Sequence, residues 1–216
     1  MTDKEEQAEI YWAKLMGQAN VSLTGTSTVG LRIQLIEVLQ QFFDESNCWR
    51  ECIGITVIPD AQDYPVQPLN GRVLRLLAVL DQNAVPQSAI MEELGIVRFL
   101  YPYTDTQPMT VFVIKTLAVS DLCFPPDIPD WLLPVHGLTL LHGLIGNMML
   151  QPGESFSNPQ MANYHIQKFR DGIAHARVAA NKSNTVGLQT WMFPQQFRVH
   201  GQKGGVSTFN VLPTPR

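Results

Sequence analysis

The chain has 216 residues, 45% of them apolar and only 16% charged, and its 15 Lys+Arg against 19 Asp+Glu give a formal net charge of −4. That length holds one or two domains with a core of ordinary size, the apolar share excludes a disordered chain, and the acidic balance argues against a general nucleic-acid binder. Average proteins carry about 25% charged residues, so a soluble chain with so few is expected to hide part of its surface in a permanent assembly.

The opening residues 1–9 are acidic and polar, unlike a secretory signal. The longest apolar run, residues 132–150, contains Pro134, two histidines and three glycines, which makes it a poor membrane span. Three cysteines are too few for a disulfide framework and point to synthesis in a reducing compartment. Charge is polarised along the chain. Residues 1–165 carry 8 Lys/Arg and 18 Asp/Glu, whereas residues 166–216 carry 7 Lys/Arg and the single acid Asp171. An acidic body with a basic end suits self-association or docking to an acidic partner.

In chain order, residues 1–19 fit a short amphipathic helix with Ile10, Leu15 and Ala19 near one face. Residues 20–30 are rich in Ser, Thr and Gly and read as a loop ending in a helix cap, supplied by Ser27 or Thr28. Residues 31–43 have helical spacing, with Leu31, Leu35, Ile36, Leu39, Phe42 and Phe43 on one stripe. A β-rich stretch follows over about residues 53–117. Ile53, Ile55 and Val57 alternate before a turn at Pro59-Asp60, and residues 63–66 form a short extended piece. Residues 73–80 are apolar at nearly every position, which predicts a strand covered on both faces, continued by residues 84–89. Residues 91–94 fit a turn of helix interrupted by Gly95. Residues 96–101 and 109–117 flank a polar tip and read as a β-hairpin.

Two helices close the body. Asp127 is placed to cap the first and Pro129 fits its early turn; it runs to about Leu150, where Pro152-Gly153 stops it. The second runs over residues 158–181 with Met161, His165, Phe169, Ile173, Ala176 and Ala180 on its stripe. A loop of about seven residues between them predicts antiparallel neighbours. The fold class is therefore α+β: a helical bundle with a small inserted antiparallel sheet in a body of residues 1–182, and an extended C-terminal arm over 183–216. The arm has no helical or strand period, yet it carries Trp191, Phe193, Phe197 and Phe209 beside Arg198, Lys203 and Arg216. Aromatics on such a segment suggest ordering against another surface; the alternative is that it wraps its own body. Trp191, Phe193, Phe197, Arg198, Phe209 and Arg216 are the candidate partner-binding residues.

Catalytic motifs are sparse. The stretch Gly201-Gln202-Lys203-Gly204-Gly205 lacks the preceding strand and following helix of a phosphate loop. Cys48 and Cys52 lack the companions of a zinc site, and Cys123 has no base near it in sequence. His136, His142, His165, His175 and His200 form no i,i+4 pair, so they read as core or interface histidines. No catalytic residue, cofactor site or metal site is assigned.

The run Phe42-Phe43-Asp44-Glu45-Ser46-Asn47-Cys48-Trp49-Arg50-Glu51-Cys52-Ile53-Gly54-Ile55-Thr56-Val57-Ile58-Pro59-Asp60 resembles the head-to-tail adaptor (connector) proteins of tailed bacteriophages. There a helix ends at a Trp, and an Ile-Thr-x-x-Pro strand and a Tyr-containing extended piece follow, here Gln62-Asp63-Tyr64. Ile128-Pro129-Asp130-Trp131 opening a helix, and Asp171-Gly172-Ile173-Ala174-His175-Ala176-Arg177 near the end of the next, are similar to that group too. The order of all four motifs, over residues 24–182, carries the resemblance. It implies a virion protein of the neck, made in the host cytoplasm. It would form a twelve-fold homo-oligomeric ring under the portal protein, with a tail or nozzle protein below. Genomic DNA would pass through without specific binding, and no membrane is involved. Rival readings are another neck or tail-completion ring, a monomeric binding module, and a small intracellular cysteine-dependent enzyme. Thiol reactivity at neutral pH separates the enzyme from the others.

Overall fold

The computed structural model describes residues 3–118 and 126–183, all within the first of two units, Met1–Ser183 and Asn184–Arg216, into which the chain divides. Its elements are α1 (Asp3–Ser22), α2 (Thr28–Ser46), β1 (Arg50–Val57), β2 (Asp63–Pro65), β3 (Arg72–Leu80), β4 (Ala89–Glu93), β5 (Ile96–Phe99), β6 (Gln107–Thr116), α3 (Leu132–Met149) and α4 (Pro159–Ser183). This is an α+β fold in which four helices surround one core and the strands between α2 and α3 build a second.

The α2 stripe is buried as its periodicity predicts: Leu31, Leu35, Ile36, Leu39, Phe42 and Phe43 are all inside. Ser27 caps the helix, its Oγ accepting from the Gly30 N–H at 3.0 Å, and Asn47 closes it in the left-handed region with its N–H donating to Phe43 O. In α1, Leu15 and Ala19 are buried but Ile10 is 60% exposed; Trp12 and Met16 take the inner positions instead. Helix α3 starts at Leu132, later than expected. Asp127 does not cap it but accepts from Asn70 Nδ2 at 2.8 Å, and the first turn is entered through Leu132 N–H donating to Pro129 O. In α4, Phe169, Ile173, Ala176 and Ala180 are buried as expected, whereas Met161 is 44% exposed and Ala162 faces the core. Asn158 Oδ1 accepts from Met161 N–H and caps the helix.

Helices α3 and α4 are antiparallel and very close. A Cβ built on Gly172 would sit 2.3 Å from Thr139 Cγ2, one on Gly143 2.9 Å from Phe169 Cδ2, and one on Gly146 2.9 Å from Ile166 Cγ1. These positions run in opposite directions along the two helices, and missing side chains bring the backbones together. Gly172→Ala is therefore expected to cost about 1–3 kcal/mol through overpacking, read as a lower denaturation midpoint with unchanged slope; an unaltered midpoint would mean that the seam yields.

The β region differs from the single inserted sheet expected. It forms two three-stranded antiparallel sheets, ordered β1-β6-β3 and β2-β5-β4, whose inner residues Val57, Tyr64, Val79, Val97, Phe99 and Val111 share one core. Strands β5 and β6 are not a hairpin: β5 pairs with β2 and β4, while β6 is the central strand of the other sheet. Strand β3 is an edge strand covered on one face only, with Val73 and Val79 buried and Leu77 39% exposed. Its pairing with β6 carries two register shifts, as β-bulges produce, and the strand is not buried on both faces. Residues 84–89 do not continue it. They turn back through a bridge between Leu80 and Pro86 and feed β4, which occupies the positions read as a helical turn. Gly95, at φ 86°, makes the tight β4–β5 connection that a side chain would strain.

The Tyr64 hydroxyl pins the turn after β1, accepting from Ile58 N–H at 3.0 Å with the carbonyls of Ile58 and Ala61 also in reach. This gives the extended Tyr piece its local role. Two features join strands to helices. The Trp49 ring lies 4.8 Å from that of Phe43 at a tilt of 44°. Lys115, only 3% exposed, places Nζ 2.6 Å from Glu51 Oε2, 4.5 Å from the Trp49 ring centre, and 3.0 Å from Asn70 Oδ1.

Candidate interaction surface

Helix α3 is the centre of the bundle, contacting α1, α2 and α4. Its 18 residues contain no Asp, Glu, Lys or Arg, and by length and composition it is apolar enough to cross a membrane, with 44% of it buried in the fold. The buried side presents Leu133, Leu140, Leu144 and Met148. The uncovered side is apolar too: Val135 is 66% and Leu138 68% exposed, with Trp131 at the helix entrance 41% exposed. Residues 131, 135 and 138 fall on one face at helical spacing. An ordinary surface helix places charge there, so this face has the chemistry of an interface.

At the far end of that face stands His142. Its Nδ1 lies 2.8 Å from Nδ1 of His165 on α4, and the Tyr164 ring stacks edge-on against both imidazoles. Burial, then the neighbouring His165 and Lys168, push the His142 pKa down; burial alone lowers His165. His136 lies against Phe42 and Trp131, and burial lowers it as well. His136, His142 and His165 are half-buried among the helices, whereas His175 is exposed; sequence spacing gave no sign of the His142–His165 pair, whose members are 23 positions apart and meet only because α3 and α4 are antiparallel.

The remaining features are polar or shallow. On the β2-β5-β4 sheet, Arg98 bonds both oxygens of Asp63, with Nε–Oδ1 at 2.5 Å, and also pairs with Glu92. The guanidinium holds the Asp63 carboxyl below its usual range. A cleft of about 460 Å³ opens where β3 and β4 diverge, lined by residues 74–76 and 89–94. Cys48 is partly buried and Cys52 exposed. Burial raises the Cys48 thiol despite an opposing hydrogen bond from Ser46, the wrong direction for a nucleophile. Among the described residues no group of three or more His, Cys, Asp or Glu is placed to hold a metal. The arm candidates Trp191, Phe193, Phe197, Arg198, Phe209 and Arg216, together with Cys123 and His200, lie outside the described residues.

The geometry defines a two-core α+β fold with an uncharged helical face left open. No model of a known protein family matches the chain, and no curated protein matches it.

Proposed function

We propose that this chain is a structural subunit of a phage neck, a head-to-tail adaptor. Copies join into a twelve-fold ring under the portal, with a tail or nozzle protein on the other side. The motif order described above suggests the family. The observation that carries the proposal is the open face of α3, with Trp131, Val135 and Leu138 exposed on a helix free of charge. A ring subunit needs such a face, because head-to-tail contacts join unlike flanks and close by rotation. The acidic body fits a channel wall, since it offers DNA few phosphate contacts. The role is one of assembly rather than catalysis, and the raised Cys48 thiol lends the cysteine-enzyme reading no support. Another neck or tail-completion ring would use the same α3 face and remains the second reading.

The arm supplies the partner-binding anchors in this proposal, because aromatic and Arg side chains dominate interface energetics. A chain shortened after Asn181 is expected to keep its melting temperature and to lose binding to the purified portal protein. Portal binding retained by the shortened chain would overturn the assignment of the arm. A particle reconstruction placing this chain anywhere but the neck would overturn the adaptor itself.

A further inference from the structure

The His142–His165 contact has a geometry of its own. The ring centroids are 5.0 Å apart with the planes tilted by 43°, and the two Nδ1 atoms 2.8 Å apart face one another between the rings. A shared metal would need both lone pairs to converge on a point beside that line. Here one nitrogen must carry a proton and the other must be bare. In the neutral pair one histidine is the Nδ1–H tautomer and donates, while its partner holds its proton on Nε2 and accepts. A first added proton goes to the free Nε2 of the donor and leaves the bond intact. A second has one place to go, the acceptor Nδ1. It replaces a hydrogen bond with two N–H groups pointed at each other on two cations.

The two helices approach closely at this point. Gly146, one turn beyond His142, has His165 Cβ 3.3 Å from where its own Cβ would stand. Of the charged groups on the elements packed against α3, those that act on His142 are His165 and Lys168, both on α4. Lys168 Nζ also lies 5.8 Å from the centre of the Tyr164 ring, so among the described residues the charged groups that act on His142 add positive charge.

We propose that His142 and His165 form a proton-operated latch on the α3–α4 seam, shut while the pair holds no more than one added proton and released by the second. The latch belongs to the subunit alone and stands whether or not the ring reading holds. Its position gives it reach, because Leu138, on the open α3 face, is one turn from His142. Acid that loosens the seam therefore disturbs that face as well.

The sign follows from linkage. In the unfolded chain both imidazoles titrate near the ordinary value of about 6.5, while the folded pair takes its second proton at lower pH. Between those points the unfolded state binds more protons, so stability falls as pH drops below about 6.5 and levels off once the folded pair is fully charged. The test uses the full chain, with melting followed at pH 7.5 and pH 5.0 and the imidazole signals titrated by NMR. The wild-type protein is expected to melt lower at pH 5.0, and its two signals to move in two steps more than one pH unit apart that belong to the pair. His165→Asn and His142→Asn, which keep a hydrogen-bonding side chain that cannot charge, should each remove a large part of the acid loss. His136, also held low, stays in both variants and sets the residual slope. Independent titration of both imidazoles at a common midpoint near 6.5 overturns the latch, and so does an undiminished acid loss in both variants. Should neither variant fold, the wild-type titration decides alone.

Discussion

Phe169→Ala is expected to lower the unfolding free energy by about 3–5 kcal/mol, the range for deleting a buried aromatic ring. Phe169 is 2% exposed, and its ring edge fills the space a side chain on Gly143 would need. The facing residue is a glycine inside a helix and offers no side chain to the void, and Val38 Cγ1, which borders the same space, is a short β-branched side chain with little freedom to fill it. The cavity should stay open and the cost should fall toward the upper end. Urea denaturation would register it as a lower midpoint at constant slope. A loss below about 1 kcal/mol would mean that α3 and α4 close over the gap.

Glu51→Gln is expected to cost about 3 kcal/mol, at the low end for breaking a buried ion pair because Glu51 keeps partial contact with water. The change leaves the Lys115 ammonium at 3% exposure with the Trp49 ring and Asn70 as its remaining partners. Lys115→Met makes the opposite demand. It removes the buried charge and keeps an unbranched apolar stem on Trp49, so its effect should be much smaller. Equal losses in the two variants, measured by chemical denaturation, would show that the pair acts by shape rather than charge. The Asn70–Asp127 bond makes the same cluster reach the segment that leads into α3.

Legibility in the sequence tracked the range of the interactions. The α2 stripe and its Ser27 cap were readable because both are settled within a few residues. The antiparallel α3–α4 pair followed from its short loop. Strand pairing was not readable in the same way. Residues 96–101 and 109–117 are neighbours in sequence, yet the chain leaves one sheet between them and enters the other, so proximity pointed to the wrong partner. Residues 73–80, apolar except for Arg75, suggested a strand covered on both faces, while the place of β3 at the edge of its sheet is set by strand order and leaves no mark in composition. Ile10 and Met161 fit their stripes by spacing, but where each helix meets its neighbour decided which side turned inward. The open face of α3 was foreshadowed only as a low overall charge. The His142–His165 pair and the burial of Lys115 depend on contacts between distant segments.

The strands leave and rejoin the bundle at one place. Arg50, the first residue of β1, is the ladder partner of Ile114 near the end of β6, and Lys115 N–H donates to Trp49 O at 2.8 Å. Entry and exit are therefore about 5 Å apart, one strand spacing. Two sheets with a core of their own hang from a gap that a short turn could span. The β region is thus a cassette: its far strands, β2, β4 and β5, can be lengthened or shortened behind this doorway, provided that the contacts of Trp49, Lys115 and Asn70 at its threshold are kept.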